Sequence, residues 1–180
     1  MALTHYPVVN KNGDTIASAV TNLDLHDIAR AARTYGLRRF YVITPLEDQQ
    51  RLIKRIVDHW VCGVGGKTNP ARREALALIG ICDDIQGAVE DIRQETGLTP
   101  NVVVTCARPG PARISFASFR EKLAAGKPHL LVLGTAWGLS ETLITTADYV
   151  LEPIQGGTDY NHLSVRCAAA IMLDRLLGTP

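Results

Sequence analysis

The chain has 180 residues, 46% of them hydrophobic and 21% charged, with a formal net charge of +1. That length suits a single domain over 1–180 with its own core, the composition excludes a disordered polymer, and the small net charge argues against a uniformly basic nucleic-acid binder. No run approaches the ~20 apolar residues of a bilayer crossing, and Met1 to Lys11 lacks the basic-then-apolar order of a secretory signal, so a cytoplasmic protein that does not enter membranes is expected.

Strand-length apolar runs alternate with helical patterns along the chain. Tyr6 to Val9 reads as a first strand, turned by Asn12-Gly13-Asp14, and Asn22 or Asp24 then caps a helix from Leu25 to Thr34 that stops at Gly36. Arg39 to Thr44 is a buried strand closed by Pro45. In Glu47 to Val61 the spacing of Leu52, Ile53, Ile56, Val57 and Trp60 predicts an amphipathic helix. A Gly-rich loop is expected from Gly63 to Pro70, followed by helices over 72–78 and 84–95 and a strand over 102–106. The remainder reads as helix 116–124, strand 129–133, strand 149–151 and a last helix from Leu163 to Leu177. The alternation predicts an α/β fold, a parallel sheet covered by helices on both faces, in which ligands gather at the carboxyl ends of strands.

Four cysteines carry no CxxC spacing and read as reduced structural thiols, so no metal site is expected. Charge is polarised: six basic residues against Asp58 between Arg51 and Arg73, then five acids against Arg93 between Asp83 and Glu95. Such a surface can hold phosphate on one side, although two solvated helix faces would look the same. Gly63-Val64-Gly65-Gly66-Lys67-Thr68 lacks both the earlier glycine and the preceding strand of a phosphate loop. It reads instead as a loop from which Lys67, Arg72 and Arg73 contact substrate phosphates. Arg108 and Arg113 bracket Pro109-Gly110-Pro111 after a strand; Arg108 is a further substrate candidate, or the segment is a rigid two-proline turn. Asp148, Glu152 and Asp174 read as surface or capping groups.

The last third is the most informative. Leu133-Gly134-Thr135-Ala136-Trp137-Gly138 ends one strand, Glu152-Pro153-Ile154-Gln155-Gly156-Gly157 ends another, and Asp159-Tyr160-Asn161-His162-Leu163-Ser164-Val165 opens the last helix. Glycine permits close backbone approach, and a helix start offers free N–H groups, so three such turns make a small-molecule pocket. This run resembles the cofactor half of the SPOUT class of S-adenosylmethionine-dependent RNA methyltransferases. Upstream, Thr21-Asn22-Leu23-Asp24 leads into a helix with Arg30 six residues before Gly36, which resembles the first SPOUT motif. Arg33 lies one turn beyond Arg30, so both can project from one face.

The resemblance covers essentially the whole chain and is nearest to a small bacterial family of single-domain SPOUT proteins. It implies a C-terminal trefoil knot, which no periodicity would suggest, a homodimer, S-adenosylmethionine as cofactor, and tRNA or rRNA as substrate. By that resemblance Leu133, Gly134, Thr135, Gly138, Ile154, Gly156, Gly157, Asn161 and Leu163 hold the cofactor. Arg30, Asp159 and His162 are the catalytic candidates, with Asn22, Arg33 and the basic residues named above on substrate. The chain departs from the ribose-methylating branch, which carries serine and asparagine where Tyr160-Asn161-His162 stand here. It is closer to the tRNA guanine-N1 branch at Asn161-His162, but lacks that branch's aspartate-bearing linker. The acceptor atom is therefore left open, and the rival expectation is a non-catalytic RNA- or ribosome-binding protein that retains the knotted fold.

Overall fold

The computed structural model describes every residue except Pro109, Pro111 and Pro180, so the predicted two-proline turn lies outside the described residues. The elements are β1 (Ala2–Thr4), β2 (Val8–Val9), β3 (Thr15–Ile16), α1 (Asn22–Thr34), β4 (Phe40–Ile43), α2 (Glu47–Val61), α3 (Val64–Thr68), α4 (Pro70–Leu76), β5 (Ile79–Cys82) and α5 (Ile85–Thr96). They continue with β6 (Asn101–Thr105), β7 (Arg113–Ile114), α6 (Phe116–Ala124), β8 (His129–Gly134), α7 (Glu141–Thr146), β9 (Tyr149–Leu151) and α8 (Val165–Leu177).

Seven strands form one sheet in the order β5-β4-β1-β8-β6-β9-β7, and every pairing in it is parallel. Strand side chains alternate between two cores, as a period of two requires. Leu3, Val42, Val103, Leu131 and Leu133 join a cluster with α1, α2, α4, α6 and α8. Ala2, Tyr41, Ile43, Val104, Leu130 and Val132 face α5 and α7. Burying one Leu, Ile or Phe contributes ~1.5–3 kcal/mol, so the larger cluster under α1 and α8 dominates stability. The expected α/β architecture, with helices on both faces of a parallel sheet, is the one found.

Several boundaries differ from the sequence reading. The predicted strand at Tyr6 is the two-residue β2, antiparallel to β3 outside the main sheet. The cap of α1 is neither Asn22 nor Asp24 but Thr21, whose hydroxyl accepts from the Asp24 N–H. The Gly63 to Pro70 stretch is no open loop, because α3 occupies 64–68. Its glycines answer to packing: a Cβ on Gly65 would meet the Trp60 ring at 2.8 Å, and one on Gly66 would collide with the Trp60 carbonyl. Of the three acids read as surface or capping groups, only Glu152 caps a helix start, and the other two hold a strand amide and a tyrosine hydroxyl. Asp148 accepts from the Val102 N–H and Glu152 from the Phe116 N–H, both at 2.7 Å, and Asp174 accepts from the Tyr35 hydroxyl at 2.9 Å.

Candidate functional site

β6, β8 and β9 are sheet neighbours, and the loops leaving their carboxyl ends converge with the first turn of α8 around a cavity of about 730 Å³. Each loop is fixed locally. Gly134 lets β8 end tight against the next turn, since a Cβ there would meet the Leu139 nitrogen at 2.8 Å. Ala136 and Gly138 take positive φ, 53° and 107°, and the turn between them is tied to β2 by Trp137 N–H to the Val9 carbonyl and Val9 N–H to the Gly138 carbonyl, both 3.0 Å. Asn161 Nδ2 donates to the Ala107 carbonyl at 3.2 Å, joining the loop before α8 to the loop after β6. Ser164 caps α8 by accepting from Cys167 N–H. The cavity thus combines apolar walls with the start of a helix, which suit a nucleoside and an acceptor group.

Of the cofactor candidates, Leu133, Gly134, Thr135, Gly138, Ile154, Asn161 and Leu163 line this cavity, and so do His162 and Arg108. Gly156, Gly157 and Asp159 are exposed and outside that lining. Arg30, Asn22 and Arg72 line a different cavity of about 920 Å³ between α1 and α2. Arg30 and Arg33 have different partners. Arg33 is taken by Glu74 of α4 at 3.0 Å, whereas Arg30 faces Asp27 at 3.9 Å. Lys67 and Arg73 line neither cavity.

Two arrangements at the loop cavity escaped the sequence reading. Asp24, only 6% exposed, accepts from Arg166 Nη1 at 2.9 Å and from the Thr21 hydroxyl at 2.7 Å, tying the start of α1 to the start of α8 across the cavity. Asp27 approaches the same arginine at 3.5 Å, and these carboxylates raise the Arg166 pKa, the hydrogen bond to Asp24 first. The available signal was position: Asp24 falls on the helix face that also carries Leu25, Ile28, Ala29 and Ala32.

The second arrangement is a polar chain behind the β8 turn. Ser18 Oγ lies 3.0 Å from His5 Nδ1 and 2.5 Å from Thr135 Oγ1, which donates to the Thr4 carbonyl at 3.0 Å. His5 is fully buried, and burial pushes its pKa below the ordinary 6.5. Nothing in the local pattern around His5 announces this, because its partner Ser18 follows β3 and is held in turn by Thr135, just after β8. Among the described residues, no group of three or more His, Cys, Asp or Glu could hold a metal ion. No helix there is long and apolar enough to cross a membrane.

A family model described as SAM-dependent RNA methyltransferase matches residues 1–178. A tRNA (guanine-N(1)-)-methyltransferase of Nitratidesulfovibrio vulgaris is 50% identical over 177 residues, which is 98% of this chain and 41% of that protein. The chain therefore spans about two fifths of the length of that relative. An uncharacterized protein of Aquifex aeolicus is 41% identical over 179 residues, 99% of this chain and 87% of its own length. Among solved structures, a methylase family protein of Neisseria gonorrhoeae superposes with TM-score 0.64 at 18% identity, over 98% of this chain and 79% of that one. The SpoU methyltransferase AviRb of Streptomyces viridochromogenes, in complex with AdoMet, gives TM-score 0.54 at 18% identity, over 98% and 55%. At such identities these two likenesses establish the fold.

Proposed function

The chain belongs to the SAM-dependent RNA methyltransferase family, and from that premise we propose that it transfers the methyl group of S-adenosylmethionine to a nucleotide of tRNA or rRNA. The observation that carries the proposal is the convergence of three strand-end loops and the α8 start on one cavity. The cofactor supplies a reactive sulfonium methyl. What remains for the protein is to align the acceptor with it and to manage one proton.

In this reading the backbone around Gly134, Gly138 and Leu163 holds the adenine and ribose, while Leu133, Ile154 and Met172 exclude water. His162, in the cavity lining, takes the acceptor proton, and Arg108 holds substrate phosphate at the rim. Gly156, Gly157 and Asp159 then act only if substrate brings their loop inward. The threading of the last segment into a trefoil knot belongs to the same reading. Support comes from β9 pairing between β6 and β7 and from Asn161 fastened to Ala107.

The proposal includes a cytoplasmic homodimer in which Arg30 of one copy serves the loop cavity of the other, since within one chain Arg30 lines the separate α1–α2 cavity. Large apolar side chains left exposed near the loop cavity, Trp137 at 67%, Tyr160 at 75% and Leu163 at 45%, favour such a covering. The name of the Nitratidesulfovibrio relative belongs to a protein more than twice as long, so the acceptor atom is left out of the proposal.

Calorimetric titration with S-adenosylhomocysteine tests the cofactor half, and labelled methyl incorporation into RNA from a deletion strain tests the rest. Saturable binding with label that disappears in His162→Ala is expected. Binding of neither S-adenosylmethionine nor its product to folded protein would overturn the proposal, and binding without transfer to any RNA would favour the non-catalytic RNA-binding alternative.

A further inference from the structure

The cavity between α1 and α2 has two chemically distinct parts. Leu23, Leu52 and Ile56 supply an apolar wall, the first two exposed at 60% and 41%. Arg30, Arg55 and Arg72 supply three guanidinium groups. One carboxylate stands among them: Asp27, 3.9 Å from Arg30 and also drawn to Arg166 Nε at 3.5 Å. Among the described residues no carboxylate pairs with Arg55 or Arg72.

Arg72 is positioned rather than loose. Its guanidinium lies over the Trp60 ring, 4.9 Å from the centroid, and its Nε is buried with no hydrogen-bond partner. His26 and His59 meet the same indole edge-on at 5.4 and 5.3 Å, and Nδ1 of His26 is likewise buried and unpartnered. Burial first, then the nearby charge of Arg72, holds the His26 pKa below its ordinary value, with Asp27 opposing and Arg30 adding to the shift.

Three guanidinium groups beside a single carboxylate, itself shared with Arg166, leave excess positive charge, and an entering anion relieves the repulsion among them. A guanidinium fork grips phosphate oxygens, while apolar side chains and a guanidinium plane accept the flat face of a nucleobase. Both recognition elements sit within one cavity here. We propose that this cavity is a second binding site, separate from the loop cavity, that holds one phosphate-bearing nucleotide of the RNA chain beside the nucleotide being methylated. The inference rests on the RNA reading above. The two cavities lie on different faces of α1, Thr21 and Asp24 lining the first and Asn22, Leu23 and His26 the second. Arg166, in the lining of the first, bonds Asp24 there and reaches Asp27 of the second, so the two sites share a wall.

The chain's two tryptophans divide between the cavities, Trp60 in this one and Trp137 in the other, so each reports separately. In Trp137→Phe protein, Trp60 fluorescence is titrated with guanosine 5′-monophosphate, guanosine and inorganic phosphate. The nucleotide should bind about tenfold or more tightly than either fragment, because base and phosphate are engaged together. Arg72→Gln should weaken it about tenfold, and Arg55→Gln, a change at an exposed side chain that leaves the fold intact, about threefold. A nucleotide that binds no better than phosphate, or as well to both variants as to the parent, overturns the site. So does a silent Trp60 in a sedimenting dimer that Leu23→Asp dissociates, since a second copy would then fill the cavity. In Trp60→Phe protein, Trp137 should answer S-adenosylhomocysteine equally with and without Arg55→Gln. If that answer fails everywhere the cofactor reading falls alone, and if only the nucleotide response fails this site falls alone.

Discussion

Replacing Gly134 by alanine tests whether the β8 turn is held by close backbone approach. The new Cβ would stand 2.8 Å from the Leu139 nitrogen, 2.9 Å from the Gly138 carbonyl carbon and 2.9 Å from Leu139 Cδ2. Two of those neighbours are backbone atoms that no rotamer change can move. Leu139 is 2% exposed and bridged to Val8, so the turn can yield only by loosening its two hydrogen bonds to Val9. Overpacking of this kind costs ~1–3 kcal/mol. For a domain of this size that lowers the melting temperature by ~2–12 °C, at ~2–4 °C per kcal/mol. The displaced turn also lines the loop cavity, so affinity for S-adenosylhomocysteine should fall in parallel. Thermal unfolding and calorimetry on the same preparations read both. Gly156→Ala is the control: nothing lies within 4 Å of its Cβ position and its φ needs no glycine, so stability should change by no more than ~0.5 kcal/mol. If Gly134→Ala melted within about 1 °C of the parent and bound the product equally well, the close-approach account of this turn would be wrong.

Gly138→Ala meets no clash but keeps a φ of 107° that an L-residue resists, so a destabilisation of ~1–3 kcal/mol in urea is expected, and none would show that the turn relaxes freely. Ser18→Ala removes its bonds to His5 and Thr135 and should cost ~1–3 kcal/mol, read from the denaturant midpoint at constant slope. Burial lowers the His5 pKa in the fold, which makes the unfolded chain the better proton acceptor in acid. Its stabilising contribution is complete above the unfolded value of 6.5 and is lost as pH falls through the lower folded value. Stability of the parent should therefore drop more steeply below pH 6.5 than that of His5→Asn, with His26 and His129, also lowered by burial, giving the residual slope; parallel curves would contradict the assignment. Lys67→Ala should leave nucleotide binding in the α1–α2 cavity unchanged, since Lys67 lies outside its lining, and a loss would mean the α3 segment takes part.

What could be read in advance depended on whether a residue's reason was local. The loop cavity was legible because its ingredients recur along the chain: glycines after apolar strands and a capped helix start need only neighbours in sequence to be recognised. β1 was not legible. Ala2–Thr4 is three residues, too short to show a period, and its centrality comes wholly from lying between β4 and β8, whose sequences are remote. β5 hid behind Gly80, which looks like a strand breaker; the glycine is there because a Cβ would come within 3.1 Å of the Tyr41 ring on the adjacent strand. The same limit governed the charges. Spacing to Gly36 singled out Arg30 and placed Arg33 one turn on along the same face, but that Arg33 is held by Glu74, 41 residues beyond it, could not be read from spacing. The partner of Arg166 is Asp24, 142 positions away, which no pattern around the last helix start could reveal. Arg72 read as one of several cations in a run, and what distinguishes it is the indole beneath it and the carboxylate it lacks. Spacing can therefore nominate basic residues for RNA contact, but their division into ion-paired, structural and ligand-ready groups is decided by long-range partners. Among the described residues that division leaves Arg55 and Arg72 as the guanidinium groups of the α1–α2 cavity that pair with no carboxylate.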